Sequence, residues 1–483
     1  MQTVSFIILT TLFLTIVVGS LPTIYQFQTQ DHMLYRILRR GDNRLGLIPF
    51  KLPAKSTHNL IIFGLAGLAN LATYLFLLQN EAIDSYLHLA AITIVWALLG
   101  KLYLLLALVA SNFIANIKRS KQIASARQRL AQFPDLQVIG ITGSYGKTSV
   151  KENIAQILAT KFKVAKTPSN NNTLLGHALA ILHQLKSDDR YLVAEYGAYR
   201  KGEIKEMVEL LPPKFAVLTG LGNQHLELFG SQRNLIEAKS ELFQKLPEDG
   251  VAYLNCDTAH YSEILPLIKG RKITYSLEDR SADLYASEIV VDIKTKSSFK
   301  VEYKGNHYEF ECEVLGKHNI LNLLPAIAIA LDLGMSQSEI QDGLNALTAP
   351  KERLNLVDLG SIKLLDDSYN SSFEGFLAAL DVMQQIGGDL HIVSRGLLEL
   401  SGDKEEIYAK LTAQINKTGA TLWTTDSFFF KYELQNGKHY NSEEKLYDEL
   451  SKSLGNQSVL LIEGRVNPAL KEKFLSQYRA KAN

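Results

Sequence analysis

The residues best suited to chemistry lie in Val138-Ile-Gly-Ile-Thr-Gly-Ser-Tyr-Gly-Lys-Thr-Ser-Val150. An apolar, β-rich run feeds a glycine turn, and a helical pattern starts at about Lys147. Val150, Ile154, Ile157 and Leu158 recur at i, i+4, i+7 and i+8, the spacing of one buried helix face. A strand, a glycine turn and a helix N-terminus form a cradle for phosphate. Backbone N–H groups and the positive helix end face the anion, and the lysine adds a mobile charge. The threonine after the lysine is placed to ligate Mg²⁺. Ile141 stands where the general phosphate-loop pattern has its first glycine, so the first glycine here is Gly143. The alternative is an ordinary glycine turn before a helix.

Three further residues are candidates, each with a plain alternative. Glu195 ends the apolar run Tyr191-Leu-Val-Ala-Glu, and a carboxylate at the carboxyl end of a strand can hold Mg²⁺. It reads equally as a loop acid at a helix start. His225 lies in Gly220-Leu-Gly-Asn-Gln-His225, where a lone histidine is more often structural. Lys239 sits in Glu237-Ala-Lys-Ser-Glu-Leu242, where a solvated lysine is the ordinary reading.

These residues need a scaffold, and the pattern supplies an α/β one. Strands are predicted at 136–142, 162–166, 190–195, 215–219, 251–255 and 272–275. They alternate with helical stretches such as 147–160, 174–186 and 231–246. That alternation calls for a mainly parallel sheet. Residues 283–315 read as a hairpin about Lys304-Gly305-Asn306, followed by helices near 318–333 and 336–347. The stretch 348–353 reads as a linker. Beyond it lies a second, Rossmann-like α/β unit, with strands near 354–358, 361–366, 389–394, 420–424 and 458–462.

The first part of the chain is different. Within 483 residues carrying a net charge of +1, apolar runs cover about 4–24, 60–78 and 87–114. Each reads as a transmembrane helix. The loop after the first run carries Arg36, Arg39, Arg40, Arg44, Lys51 and Lys55. The stretch after the third carries Lys118, Arg119, Lys121, Arg127 and Arg129. The short loop between the second and third holds Glu81 and Asp84 and no lysine or arginine. The positive-inside rule then gives a multi-pass protein of the cell membrane, N-terminus outside and everything after about 115 in the cytoplasm. The expected organisation is a membrane region (1–116), a basic linker helix (117–135), a central ATP-binding domain (136–349) and a C-terminal domain (350–483). Nothing in the charge points to nucleic acid. Cys256 and Cys312 have neither metal-ligand nor disulfide-framework spacing.

The order of the motifs resembles the Mur ligase family of ATP-dependent amide-forming enzymes, and within it the members that add D-alanyl-D-alanine to UDP-N-acetylmuramoyl-tripeptide. The resembling segments begin with Gly140-Ile-Thr-Gly-Ser-Tyr-Gly-Lys-Thr-Ser149, Thr167-Pro-Ser-Asn-Asn-Asn-Thr-Leu-Leu-Gly176, Glu195-Tyr-Gly-Ala198 and Gly222-Asn-Gln-His225. They continue with Ala238-Lys-Ser-Glu-Leu242, Gly316-Lys-His-Asn-Ile-Leu-Asn322, Arg353-Leu354 and Asp366-Asp-Ser-Tyr-Asn370. The resemblance implies that Gly143, Ser144, Gly146, Lys147, Thr148 and Ser149 hold the ATP phosphates, with Lys147 on the β/γ groups and Thr148 on Mg²⁺. It implies metal binding by Glu195 and His225. It also implies CO₂ as a carbamate on Lys239, which would help to hold a second Mg²⁺. Asn319 and Asn322 would meet the base region of the nucleotide, Arg353 its phosphates, and Asp367, Tyr369 and Asn370 would close on it. Asn170 to Thr173 would line the acceptor side.

The implied reaction joins an amino acid or dipeptide to the carboxylate of a cell-wall precursor, small or lipid-linked, through an acyl phosphate. Two departures stand out. The membrane region occupies the place of the family's UDP-sugar-binding domain. Val393-Ser-Arg-Gly-Leu-Leu-Glu-Leu-Ser401 replaces a segment that usually contains Gly-Asp-Met. A ligase for another polymer, such as poly-γ-glutamate, and a non-catalytic nucleotide-binding membrane scaffold are the other readings.

Overall fold

The computed structural model describes residues 2–29, 56–79, 86–168, 171–222, 229–291, 296–347, 354–368, 373–397 and 404–482. The chain divides into two compact units, Met1–Ala124 and Ser125–Asn483.

The first unit is helical, with helices Gln2–Thr29 and Thr57–Gln79 and most of helix Tyr86–Leu130. Leu9 packs on Trp96 beside Phe13, Ile16, Tyr74 and Leu77. Ile24, Ile62, Ala66, Leu104, Ala107 and Leu108 form a second cluster. Hydrogen bonds between helices set the register. The Trp96 indole N–H donates to Asn70 Oδ1 (3.1 Å), Thr10 Oγ1 meets Tyr74 OH (2.9 Å) and Thr73 Oγ1 meets Tyr103 OH (2.8 Å). Gly100 allows close approach, since a Cβ there would stand 2.8 Å from Ile16 Cγ2. Small residues and side-chain hydrogen bonds between apolar helices are the packing rules of a lipid environment. The outer faces carry exposed Phe6, Leu60, Leu68, Phe76, Leu98 and Phe113.

Three spans were expected, and among the described residues two helical stretches are long and apolar enough to cross a membrane, Thr57–Leu77 and Ile94–Leu130. In the first helix a shorter apolar stretch, Phe6–Leu21, is found among the described side chains. The expected separate linker helix is continuous with the third apolar run, because no glycine or proline interrupts residues 101–130.

The second unit contains two sheets. The larger has nine strands in the order β2-β3-β1-β4-β5-β6-β7-β8-β9. They are β1 Gln137–Thr142, β2 Val164–Lys166, β3 Tyr191–Glu195, β4 Phe215–Leu218, β5 Val251–Asn255, β6 Arg271–Ser276, β7 Leu284–Val290, β8 Ser297–Tyr303 and β9 Asn306–Cys312. The pairings are parallel from β2 through β7 and antiparallel from β7 to β9. β1 is central and buried on both faces, so it reads as a continuous apolar run rather than an alternating one. Helix Lys147–Leu158 shares its core with helix Lys317–Asp332, through Ile154, Ile157 and Leu158 on one and Ile320, Leu324 and Ile327 on the other. At the far edge, Gln337 and Gln341 of helix Gln337–Asn345 donate to the carbonyls of Glu309 and Glu311 on β9 (both 2.8 Å). The Glu311 N–H donates back to Gln341 Oε1 (3.0 Å).

The smaller sheet runs β10-β11-β15-β12-β13-β14. Its strands are β10 Asn355–Asp358, β11 Ile362–Asp367, β12 Asp389–Ser394, β13 Thr421–Thr424, β14 Gly437–His439 and β15 Ser458–Glu463. Only β10 is antiparallel to its neighbour. Helices Phe373–Ile386 and Lys404–Thr418 share one core. Helices Glu443–Ser453 and Pro468–Ala482 share the other. The helix after β11 and the helix after neighbouring β15 therefore lie on opposite faces. In such sheets that arrangement makes the carboxyl ends of the two strands the usual ligand position. Asp366, Asp367, Glu463 and Gly464 stand there.

Candidate active site

The glycine turn after β1 is held by the strip that follows β4. Ser144 N–H donates to the Gly220 carbonyl (2.7 Å), and the Thr219 hydroxyl donates to the Tyr145 carbonyl. Ser144 Oγ accepts from Gly222 N–H at 3.1 Å. Both loop glycines are required by geometry. Gly143 has φ 154°, and a Cβ there would overlap Thr219 Oγ1 and stand 2.9 Å from the Gly220 carbonyl oxygen. Gly146 caps the following helix at φ 77°, with Asn322 Oδ1 2.8 Å from a Cβ position. Lys147 arches over the turn and donates to the carbonyls of Gly143 (2.9 Å) and Ser144 (3.1 Å).

Thr148 and Glu195 come together across the sheet. The Thr148 hydroxyl donates to Glu195 Oε2 at 2.9 Å, and Asn172 Nδ2 donates to Glu195 Oε1 at 3.2 Å. Parallel pairing of β1 with β3 sets Ile141 beside Glu195, which puts the carboxylate at the level of the turn. Behind it, His177 Nε2 meets the Glu195 carbonyl oxygen (2.9 Å). Burial holds the His177 imidazole at a pKa of about 4, so it is neutral and Nε2 carries the donating proton. Its Nδ1 is buried with no hydrogen-bond partner among the described residues. Lys151, one turn beyond Lys147, is fully buried with a lowered pKa. Desolvation is the main cause, opposed by the charges of Glu195 and Glu152.

Lys239 is not the solvated lysine that its helix alone suggests. Helix Gln232–Gln244 is capped by Ser231, whose hydroxyl accepts from Asn234 N–H (3.2 Å). Glu241 on the same helix accepts the backbone N–H groups of Gly202 (2.7 Å) and Lys205 (2.9 Å), which locks it against the neighbouring helix Glu203–Leu210. Lys239 is 3 % exposed, and its Nζ lies 5.9 Å from the centre of the Phe229 ring. Its pKa is pushed down to about 7, first by burial and then by the Lys147 charge, with Glu195, Glu203 and Glu241 acting in the opposite sense. An amine with that pKa is substantially neutral near pH 7.5 and hence nucleophilic.

The other expected residues are placed as follows. Asn319 donates from Nδ2 to the Leu315 carbonyl (2.8 Å). Asn322 turns to the phosphate-loop glycine, and its carbonyl accepts from Asn153 Nδ2 (3.1 Å). The Asp367 carboxylate accepts the backbone N–H of Leu354 (3.2 Å), a buried residue at φ 37°. Ser149 lies in the first turn of the loop helix. His225, Arg353, Tyr369, Asn370 and the first of the Asn170–Thr173 segment lie outside the described residues. Among the described residues no three His, Cys, Asp or Glu side chains cluster as a metal centre. The oxygens of Thr148 and Glu195 still suit a hard cation such as Mg²⁺. His177 and Lys151 do not stand out as contributors in the sequence, whereas Asn172 is expected on the acceptor side and is found on the Glu195 carboxylate. The signal for Asn172 was its place in the Asn170–Thr173 segment, whereas buried His177 and Lys151 carried none.

Known proteins resemble this chain in sequence and in fold. Residues 141–330 match the Mur ligase middle domain. The chain is 30 % identical over 343 residues to UDP-N-acetylmuramoyl-tripeptide–D-alanyl-D-alanine ligase of Escherichia coli, covering 70 % of this chain and 75 % of that protein. It is 28 % identical over 363 residues to the Bacillus subtilis enzyme of the same name, covering 70 % and 74 %. Among solved structures, the fold is similar to MurF of Acinetobacter baumannii (TM-score 0.67, 24 % identity, 74 % of this chain and 80 % of that one). It is also similar to MurF ligase of Thermotoga maritima in complex with ADP (TM-score 0.66, 23 % identity, 75 % and 84 %). With a phosphate loop, an acidic strand end and a buried lysine in one α/β unit, the chain belongs to the Mur ligase family, the ATP-dependent, ADP-forming ligases of amide bonds.

Proposed function

We propose that this protein is a membrane-anchored ligase of the cell-wall type. It would join D-alanyl-D-alanine, or a related amino acid or dipeptide, to the carboxylate of a UDP-N-acetylmuramoyl-tripeptide or a lipid-linked equivalent. The observation that carries the reading is the convergence of Lys147, the Thr148–Glu195 pair and buried Lys239 in one unit.

A carboxylate cannot expel oxide when an amine attacks at neutral pH. It first takes the γ-phosphoryl group of ATP, which gives an acyl phosphate whose phosphate leaves readily when the amine attacks. Mg²⁺, when bound, neutralises charge on the transferring phosphoryl group, and two ions fit the family resemblance. Loop N–H groups and Lys147 would grip the phosphates, Thr148 and Glu195 would hold the cation, and Asn172 would fix the Glu195 carboxylate. CO₂ would add to the neutral Lys239 amine, forming an N–C bond and releasing one amine proton to solvent, to give a carbamate, which carries the negative charge that a cation site needs and the free amine lacks. Asp367, Tyr369, Asn370 and Arg353 would close on the nucleotide and exclude water from the acyl phosphate.

The exposed apolar faces of Thr57–Leu77 and Ile94–Leu130 support membrane insertion. Packing of the first helix against them supports a third segment in the bundle. The proposed topology puts the N-terminus outside and the ligase in the cytoplasm, and a reporter fused after residue 130 should read cytoplasmic.

ADP release by detergent-purified protein tests the chemistry. UDP-N-acetylmuramoyl-tripeptide is supplied with and without D-alanyl-D-alanine, against Lys147→Ala. Release that needs both substrates, and that falls roughly 10²–10³-fold in the variant, is expected. Turnover that survives Lys147→Ala removes the phosphate-site assignment. Lys239→Ala should lose turnover and regain part of it with a short-chain carboxylic acid.

A further inference from the structure

At the carboxyl ends of the smaller sheet's strands lies a buried lysine that the nucleotide chemistry has not used. Lys471 lies in the first turns of helix Pro468–Ala482, its side chain 7 % exposed. Its Nζ donates to Asp366 Oδ1 (3.0 Å) and Oδ2 (2.8 Å) and to Ser368 Oγ (2.6 Å). One ammonium therefore grips both neighbours of Asp367. The helix is itself fixed. Asn467 accepts at Oδ1 from Ala469 N–H (3.0 Å) and Leu470 N–H (3.3 Å), and its own N–H donates to Glu443 Oε2 (2.7 Å). Phe474, Leu475 and Tyr478 are buried in the core beneath it.

The backbone supplies the other restraints on the same segment. Ser368 N–H donates to Asp366 Oδ1 (3.2 Å), and Gly464 N–H donates to the Asp367 carbonyl (3.0 Å). The Asp367 carboxylate itself faces Leu354, where the chain enters this sheet. Two adjacent carboxylates at the carboxyl end of a strand repel a polyphosphate. The Lys471 ammonium offsets the charge of Asp366, the nearer of the two to it.

We propose that Lys471 is a positioning residue for the ligase reaction. It would fix the carboxyl end of β11 so that Asp367 meets the nucleotide when the smaller sheet closes on the larger. This rests on the reading of Asp367 given under the proposed function. Lys471 acts through Asp366 and Ser368, and it is distinct from the phosphate-loop lysine on the other sheet.

The test uses the full chain in detergent, with Lys471→Met, Lys471→Arg and Ser368→Ala. Three quantities are read: ADP release at saturating substrates, the Kd of a fluorescent ADP analogue, and hydrogen exchange of peptides covering 362–368 and 421–424. Lys471→Met should lower kcat roughly 10–100-fold, the scale of a misplaced reacting group. The Kd should rise by less than kcat falls, because the phosphate loop that grips the phosphates is on the other sheet while Asp367 meets the nucleotide only on closure. Exchange should rise at 362–368 and not at 421–424. Arginine should restore most of the rate, and Ser368→Ala should give a smaller loss of the same kind.

A folded Lys471→Met protein with wild-type kcat and exchange overturns the proposal. So does exchange rising across the whole sheet while rate falls in step. Should Lys471→Met not fold, the arginine and Ser368 variants carry the same comparison. Absence of ADP release from the wild type with any acceptor would refute the ligase reading, while the exchange comparison would still decide the role of Lys471.

Discussion

Lys239→Met replaces the buried amine with an apolar side chain of similar length, and its effect on stability has a defined pH signature. In the folded protein the amine has a pKa near 7, against an ordinary 10.5. The folded-state value is lowered, so between those two values the unfolded chain binds more protons than the folded one. Stability then rises with pH across that window. The cost of protonation in the buried site is fully present below about pH 6, where it amounts to about 5 kcal/mol. It falls to about 2 kcal/mol at pH 9 and to under about 1 kcal/mol at pH 10. Methionine carries no such cost. The variant should therefore be more stable than the wild type, with a gain that shrinks by about 3 kcal/mol from pH 6 to pH 9. Urea unfolding of the detergent-solubilised chain in CO₂-free buffer measures it. A difference flat to within about 0.5 kcal/mol over that range would refute the argument that burial and the Lys147 charge hold this amine near neutrality. Bicarbonate should stabilise the wild type and leave the variant unchanged, since only the lysine can bind CO₂.

Thr148→Val removes the hydroxyl that Glu195 accepts. The Mg²⁺ concentration for half-maximal ADP release should rise roughly 10–100-fold, with unchanged folding by circular dichroism. Gly143→Ala forces a methyl group into Thr219 and the Gly220 carbonyl, costing about 1–3 kcal/mol by thermal unfolding and abolishing binding of the fluorescent nucleotide. Asn70→Leu deprives the Trp96 indole of its partner inside an apolar bundle and should cost about 0.5–2 kcal/mol in a mixed-detergent unfolding titration.

The sheet elements were legible because burial on both faces writes itself as short apolar runs, and the runs at β1, β3, β4, β5 and β12 fall within a residue or two of the strands formed. β14 was not foreseen. It is three residues, Gly437–His439, with no apolar face of its own, and it exists through parallel pairing with β13. The 283–315 region was read as a hairpin. Its continuation of the parallel sheet through β7 is a tertiary fact, carried by the β6–β7 pairing, and no local pattern announces it. In the site, Gly143, Gly146, Lys147 and Thr148 stood out because a phosphate cradle is built from neighbours in sequence. Glu195 and Lys239 were ambiguous because their character comes from what the fold brings beside them. The same helix position that suggests a solvated lysine becomes a desolvated one once the fold buries it beside Phe229. Lys471 had no signal at all, since its partners lie more than a hundred residues earlier.

The glutamine pair on helix Gln337–Asn345 has a consequence for how copies of this protein can meet. An edge strand ordinarily offers a row of unpaired amides and carbonyls to any extended chain that drifts past. Here Gln337 and Gln341 occupy the Glu309 and Glu311 carbonyls and the Glu311 amide, so that side chains stand in for the missing tenth strand. This seal leaves that stretch of β9 little able to accept a strand from another copy.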